Sequence, residues 1–237
     1  MHLFNITFKK TSNGFSIFIP NKKPFALSEA VKAEEFKILK SDSIKLNIGG
    51  GKGHPQVDGW KVVDIRNHAD IVVDISRNPL PFEDNSVSAI FTSHTLEHII
   101  PQRLPHVLTE FYRVMDKQNS ILRIIVPDTQ KAIKAYLERD HAFFNTSDVT
   151  LIDPDAPIGG KLASWLYSTR LDKTTGELAD MLGHVNCFDV EYMIFILRKI
   201  GFKKVYESQY QKSNLAELRG KAWDRHPMES IFVEAVF

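Results

Sequence analysis

The sequence predicts an α/β fold built around a doubly wound, mostly parallel sheet. Short apolar segments typical of buried strands alternate with longer segments of helical periodicity, and this alternation indicates parallel strands joined by crossover connections. The first core strand, residues 44–48, passes directly into a loop with glycines at positions 49, 51 and 53. Because glycine lacks a Cβ, such a loop turns sharply and lets a ligand approach the backbone. A glycine loop at a strand end is where an open α/β sheet binds a nucleotide-like molecule.

The predicted elements follow in order along the chain. Residues 3–20 alternate apolar and polar side chains around Ser12-Asn13-Gly14, which predicts a β-hairpin with Asn-Gly at its turn. Ser28 resembles the N-cap of a helix over residues 29–39. Seven strands are expected after it, at residues 44–48, 60–65, 71–74, 88–93, 120–126, 203–207 and 230–236. Helices are expected at residues 102–116, 129–138 and 189–200, the last with Asp189 as N-cap and Gly201 at its left-handed end.

Two features of the connections shape the expected sheet. The segment between the strands at 60–65 and 71–74 is too short for a crossover helix, so we expect the strand at 71–74 to be short and to lie at the sheet edge. Residues 140–186 show no strand pattern, which predicts an insertion that forms a helical lid over the site. One domain, residues 1–237, would then contain a hairpin and helix (1–40), a cofactor-binding core (44–128), the insertion, and a C-terminal helix with strands (187–237).

Composition narrows the class of protein. The chain has 237 residues, of which 43% are hydrophobic, and this suits a single globular domain. Its formal net charge of +1 gives no electrostatic argument for a nucleic-acid or anionic-membrane partner. Residues 1–10 lack the apolar core of a signal peptide, and no apolar run approaches membrane-spanning length. A single cysteine, Cys187, excludes an intramolecular disulfide framework. These observations favour a cytoplasmic location.

The glycine loop favours a cofactor without a phosphate group. Its glycines are spaced G-x-G-x-G, and the sixth position holds His54, followed by Pro55. A dinucleotide fingerprint needs G-x-G-x-x-G at a helix N-terminus, and a phosphate loop needs Gly-Lys-Ser/Thr. Asp64, which follows directly on an apolar run, is suitably placed to accept hydrogen bonds from ribose hydroxyls. S-adenosylmethionine, which carries ribose and adenine but no phosphate, fits this loop better than a dinucleotide.

Six short motifs occur in a fixed order along the first half of the chain. They are Leu46-Asn47-Ile48-Gly49-Gly50-Gly51-Lys52-Gly53, Val63-Asp64, Leu80-Pro81-Phe82-Glu83-Asp84-Asn85-Ser86-Val87, Ser93-His94-Thr95-Leu96-Glu97-His98, Phe111-Tyr112-Arg113-Val114-Met115 and Val126-Pro127-Asp128, with Asp74 between the second and third. The series resembles class I S-adenosylmethionine-dependent methyltransferases of the small bacterial, type 11-like kind. The resemblance covers residues 44–128. It implies a Rossmann-like, doubly wound sheet of seven strands with an antiparallel last strand, and S-adenosyl-L-methionine as cofactor.

The resemblance also implies which residues hold the cofactor. Gly49 and Gly51 would line its methionine portion, Asp64 would hold the ribose hydroxyls, and Asp74 would lie beside adenine. The remaining positions of the implied site are Asn47, Gly50, Ile65, Ile75, Ser93 and His94. The family usually carries Asp or Glu where Asn47 stands, and an amide cannot offer the same charge to the cofactor's ammonium group.

Histidines supply the candidate catalytic groups. His94 and His98 are candidate general bases, because a histidine pKa lies near neutral pH and a helical turn would place both on one face. The same spacing is typical of metal ligands, but no third ligand motif accompanies it, so no metal is predicted. Alternatively, Glu97 and His98 form hydrogen bonds within their turn and support the cofactor floor. The candidate substrate residues are His184, Asn186, Arg225 and His226.

The predicted function is methyl transfer from S-adenosylmethionine to an oxygen or nitrogen nucleophile of a small molecule or glycan. The N-terminal hairpin would either cover a sheet edge or pair across a homodimer. Two alternatives stay open: a non-catalytic S-adenosylmethionine-binding module, which the Asn47 departure permits, and a nicotinamide-dependent oxidoreductase.

Overall fold

The computed structural model describes residues 7–11, 14–18, 44–51, 57–145, 155–167 and 183–237. The chain divides into two compact units, Met1–Glu34 and Glu35–Phe237. The predicted helix at 29–39 and the second half of the glycine loop, residues 52–56, lie outside the described residues.

The first unit contains a two-stranded antiparallel sheet. Strands β1 (Thr7–Thr11) and β2 (Gly14–Phe18) pair so that Thr11 lies opposite Gly14. The predicted hairpin strands are confirmed, while the turn residues 12–13 lie outside the described part of the chain.

The second unit is built on a seven-stranded sheet. Its strands are β3 (Ile44–Ile48), β4 (Trp60–Asp64), β5 (Ile71–Val72), β6 (Val87–Ser93), β7 (Ile121–Pro127), β8 (Lys204–Glu207) and β9 (Ser230–Val236). They lie in the order β5-β4-β3-β6-β7-β9-β8. Strand β9 runs antiparallel to both its neighbours, and every other pairing from β5 to β7 is parallel. This confirms the predicted fold class, including the short edge strand at 71–72.

Five α-helices are described. They are α1 (Leu104–Val114), α2 (Thr129–Leu137), α3 (His141–Asn145), α4 (Ile158–Tyr167) and α5 (Val190–Ile200). Three of them, α1, α2 and α5, have bounds close to those predicted. Asp189 is the N-cap of helix α5, and its side chain accepts a hydrogen bond from the Tyr192 amide; Gly201, with φ +132°, is the C-cap. The predicted cap residues at both ends of this helix are therefore confirmed.

Helices α1 and α5 cover one face of the sheet. The buried residues of α1 recur at helical spacing, as Leu104, Val107, Leu108, Phe111 and Val114. They share one core with alternate residues of β7, since successive side chains of a strand point to opposite faces. The opposite face of β7 packs against the segment that carries Leu215, Leu218 and Trp223.

The insertion carries helices where the structure describes it. Within residues 140–145, 155–167 and 183–186 there is no strand, and α3 and α4 form a small core of their own with α2. That core includes Phe144 and Trp165. Its predicted role as a lid stays a prediction. No helix among the described residues is long and apolar enough to span a membrane.

Candidate cofactor site and histidine cluster

A tight corner links β3 to the glycine loop. Gly49 adopts φ +74°, and its amide donates to the Val63 carbonyl over 2.7 Å. A Cβ at this position would lie 2.0 Å from Thr95 Oγ1. At Gly50 a Cβ would lie 2.6 Å from Asn47 Nδ2. Glycine is needed at both positions because the backbone packs directly against side chains of this chain.

Asn47 brings a buried amide to the same corner. Its side chain is 1% exposed, and among the described residues neither Oδ1 nor Nδ2 has a hydrogen-bond partner. A buried polar group without a partner costs about 1–3 kcal/mol. One donor and one acceptor are thus available to a ligand that carries both an ammonium and a carboxylate group. The residues at this corner fit the amino-acid portion of S-adenosylmethionine.

Asp64 ends β4 beside the corner and is 7% exposed. Its Oδ1 accepts a hydrogen bond from the Arg66 amide over 3.0 Å, and its Oδ2 lies 4.0 Å from Arg66 Nη1. A carboxylate has about four acceptor positions, so capacity remains for ribose hydroxyls. Ile65, the next residue, is 59% exposed.

The Asp74 carboxylate makes its contacts within the turn that follows it. Its Oδ1 accepts hydrogen bonds from the Ser76 amide and hydroxyl, over 2.9 and 2.6 Å, and its Oδ2 lies 3.2 Å from Arg77 Nε. Ile75 packs against the main core. The carboxylate therefore stabilises the loop after β5, and a contact of this segment with adenine stays a prediction.

His94 follows Ser93 at the end of β6 and has a left-handed backbone, with φ +49°. Such a conformation in a non-glycine residue is strained, and strain of this kind often marks a functional site. The ring Nε2 lies 2.9 Å from Ser230 Oγ, and Nδ1 lies 3.4 Å from Glu97 Oε1. His226 packs against the same ring, with centroids 4.7 Å apart. The structure thus brings together a candidate base and a candidate substrate residue.

Glu97 lies at the centre of this region. Its side chain is 1% exposed, and within the described residues neither carboxylate oxygen makes a hydrogen bond, although His94 Nδ1 lies within ion-pair distance. Burial raises the pKa of Glu97 to about 8, and the nearby Glu229 charge contributes to the increase. The main-chain carbonyl of Glu97 accepts hydrogen bonds from the amides of Val185 and Asn186, over 2.9 and 3.1 Å. These bonds hold the segment after residue 183 against the 3-10 turn Leu96–His98.

His98 and His184 meet beside Glu97. Their ring centroids lie 5.3 Å apart. His98 Nδ1 lies 3.4 Å from the Gly183 carbonyl, and its Nε2 lies 4.0 Å from Glu97 Oε1. Asn186, the other candidate in this segment, donates from Nδ2 to the Ile99 carbonyl over 3.3 Å. The structure therefore joins residues 94–98 to residues 184–186, which lie far apart in the sequence.

His226 connects the site to the insertion. Its Nδ1 lies 3.3 Å from Glu229 Oε1, and Glu229 Oε2 accepts a hydrogen bond from Trp165 Nε1 over 3.1 Å. Glu229 and Trp165 were not among the predicted residues, because no local motif marks either one. Arg225 precedes His226 and is partly buried. We call the four histidines at 94, 98, 184 and 226, with Glu97 and Glu229, the histidine cluster.

A family model described as a methyltransferase domain matches residues 59–122. A structure of a SAM-dependent methyltransferase from Archaeoglobus fulgidus is 16% identical, with a TM-score of 0.47 over 84% of this chain and 87% of that one. A SAM-dependent methyltransferase from Methanosarcina mazei is also 16% identical, with a TM-score of 0.46 over 84% of this chain and 92% of that one. With 16% identity and TM-scores below 0.5, these similarities provide no evidence about the function of this chain. Comparison with curated proteins gave no match.

Two findings agree with the resemblance to class I methyltransferases. The matched residues run from the residue before β4 into β7 and contain Asp64, Asp74 and the turn at 94–98. The strand order, with only the last strand antiparallel among the seven, is the order that this resemblance implies. The family model covers residues 59–122, and over that segment the chain is similar to a methyltransferase domain.

Proposed function

We propose that this chain transfers a methyl group from S-adenosylmethionine to an oxygen or nitrogen nucleophile of a small molecule or glycan. The observation that supports this most is the contact of the glycine corner with Thr95, the residue that follows His94 of the histidine cluster. Thr95 lies between His94 and Glu97 in sequence, and its Oγ1 occupies the space that a Cβ at Gly49 would fill. The glycine corner, which would hold the methyl donor, and His94, the candidate general base, therefore lie at the same edge of the sheet.

The donor would be held by the corner and the ends of the neighbouring strands. Asn47, with Gly49, Gly50 and Gly51, would bind the amino-acid portion, and the unpartnered Asn47 amide supports this assignment. The remaining cofactor positions are Asp64 and Ile65 for ribose, Asp74 and Ile75 for adenine, and Ser93 and His94 for the floor. When bound, S-adenosylmethionine supplies an electrophilic methyl group, so the main task of the chain is to align the nucleophile with it.

His94 is our first choice for the general base, and His98 the second. Glu97 Oε1 lies 3.4 Å from His94 Nδ1, and this contact orients the imidazole. Nε2 is then the nitrogen that accepts the proton of an acceptor hydroxyl, in place of its contact with Ser230 Oγ. A positioned base contributes about 10²–10⁴-fold to the rate. An amine acceptor would need no base.

The acceptor would bind among His184, Asn186, Arg225 and His226. Partly buried imidazole and amide groups donate and accept hydrogen bonds, which suits a hydroxyl-bearing acceptor. The bond from Trp165 to Glu229 ties helix α4 to this region. Helix α4 would therefore help to exclude water from the methyl donor.

Binding of the donor product and turnover test the proposal separately. S-adenosylhomocysteine should raise the Tm of the chain, whereas NAD(H) should not, because only a ligand of the native state stabilises it. Asp64→Ala should abolish this increase, and Asp58→Ala, at an exposed position nearby, should retain it. Stabilisation by NAD(H) alone would contradict the donor assignment.

Turnover is measured as S-adenosylhomocysteine release with a panel of hydroxyl, amine and glycan acceptors. With a hydroxyl acceptor, His94→Gln should lower kcat by about 10²–10⁴-fold and leave S-adenosylhomocysteine binding unchanged. An unchanged kcat would exclude His94 as the base, and no release with any acceptor class would favour a non-catalytic module.

A further inference from the structure

The histidine cluster contains a set of metal-ligand groups that the sequence does not reveal. Glu97 and His98 are adjacent in sequence, but the third group, His184, comes from the far side of the insertion. One ligand atom each from Glu97, His98 and His184 lie within 4.8 Å of one another. Bonds from zinc to nitrogen or oxygen are about 2.0–2.2 Å long, so two ligands of a tetrahedral ion lie roughly 3.4 Å apart. Side-chain shifts of about 1 Å would therefore bring these atoms around one ion.

The orientation of His98 suits a ligand. Its Nδ1 faces the Gly183 carbonyl at 3.4 Å, while Nε2 faces Glu97 Oε1 at 4.0 Å. A ligating histidine usually donates one ring N–H to a carbonyl or carboxylate, which fixes the tautomer and leaves the other nitrogen to bind the metal. The main-chain contact thus sets the ring in the orientation that metal binding requires.

Glu97 provides an independent indication. Its carboxylate is 1% exposed, and among the described residues both oxygens lack a hydrogen-bond partner. Its neighbours within ion-pair distance are the imidazoles of His94 and His98, and buried charges in proteins are usually paired or coordinate metals. Glu229, also buried, adds a second carboxylate to the same region. A cation bound beside Glu97 would give a partner to the two oxygens that make no hydrogen bond within the described residues.

We propose that Glu97, His98 and His184 form a binding site for a divalent transition-metal ion. Two histidines and one glutamate are a donor set known for zinc, and such a set leaves a position open for water or an acceptor oxygen. The side chain of His98 is 23% exposed, so solvent and ligands reach the site. Imidazole nitrogens favour Zn²⁺ over Mg²⁺, which prefers oxygen ligands.

The test uses the full chain, freed of metal with a chelator, and needs neither methyl donor nor acceptor. Zn²⁺ binding is measured by calorimetry, and metal content after dialysis by mass spectrometry. We expect one tightly bound Zn²⁺ per chain, with Mg²⁺ unable to displace it. His184→Ala should weaken binding by about 100-fold or more, since even groups that only support a ligand change affinity by 10–100-fold. His106→Ala, at an exposed position on α1, is the matched control and should bind as the wild type does.

A second variant and a second measurement test the metal site if the first variant does not fold. Glu97→Gln should weaken binding with little change in shape, and its fold is checked by thermal unfolding. If Glu97→Gln does not fold, His184→Ala decides alone, because His184 is only partly buried. The visible absorption of the Co²⁺-loaded protein should be lost in His184→Ala. Equal Zn²⁺ affinity in the wild type and His184→Ala, or no stoichiometric binding, would overturn the proposal and leave the cluster as a hydrogen-bonded network. Stabilisation by S-adenosylhomocysteine reports on the donor site and is unaffected by either result.

Discussion

Replacing Gly49 with alanine tests the contact of the glycine corner with Thr95, which is next to His94 in sequence. Gly49 has φ +74°, and a left-handed backbone costs an alanine about 1–2 kcal/mol. The new Cβ would also lie 2.0, 2.6 and 2.8 Å from Oγ1, Cγ2 and Cβ of Thr95. Thr95 cannot rotate away freely, because its Oγ1 donates toward the carbonyls of Ile48 and Ser93.

Relief of that overlap must move the backbone at Thr95, and overpacking of this kind costs about 1–3 kcal/mol. The total loss of unfolding free energy for Gly49→Ala is therefore about 2–5 kcal/mol. Gly59→Ala isolates the backbone contribution, since Gly59 has φ +84° and a Cβ there would meet no atom of the described residues within 4 Å. We expect it to cost about 1–2 kcal/mol.

The loss of unfolding free energy in both variants is measured by urea unfolding, provided that the m-value is unchanged. Gly51→Ala serves as a second control. Among the described residues its added Cβ would meet only Arg66 Nη1, at 3.4 Å, so its cost should be small. Equal costs for Gly49→Ala and Gly59→Ala would refute the packing of Thr95 on the corner. The shared edge between donor site and histidine cluster would then lose its support.

Two further variants test buried polar groups. Arg123→Met should cost about 3–5 kcal/mol of unfolding free energy, because it leaves the fully buried carboxylates of Asp224 and Glu234 without their cation; a cost below about 1 kcal/mol in urea unfolding would contradict the ion pairs. Trp165→Phe keeps an aromatic ring but removes the donor to Glu229. It should cost about 1–3 kcal/mol in the same assay, and no change would show that helix α4 is not tied to the cluster.

Most of the fold could be predicted because local physics determines it. The alternation of apolar residues located the strands, and Asp189 and Gly201 were recognised as the ends of α5 from their capping chemistry. The Arg123 ion cluster could not be predicted. Arg123 occupies one position in an otherwise apolar strand, and its partners lie 101 and 111 residues away in sequence. Only the pairing of β7 with β9 and the return of the loop before β9 bring these charges together.

The candidate site also contains both local features, which the sequence reveals, and long-range contacts, which it does not. Asp64 and the glycine corner could be proposed from the sequence because each is a short local pattern. The glycines follow β3 directly, and Asp64 is the last residue of β4. The expectation of no metal rested on the absence of a third ligand near His94 and His98. His184 contacts His98 next to the hydrogen bonds that the amides of Val185 and Asn186 donate to the Glu97 carbonyl. Residues brought together by such tertiary contacts are not separated by a characteristic spacing in the sequence, so no motif reveals them.

A crystal structure of the chain with S-adenosylhomocysteine tests the central claim most directly. The account predicts that the ribose hydroxyls bond to the Asp64 carboxylate and that the amino-acid portion lies at Gly49 with its polar groups on the Asn47 amide. A ligand bound elsewhere, with Asn47 still unpartnered and Asp64 free of ribose, would contradict it.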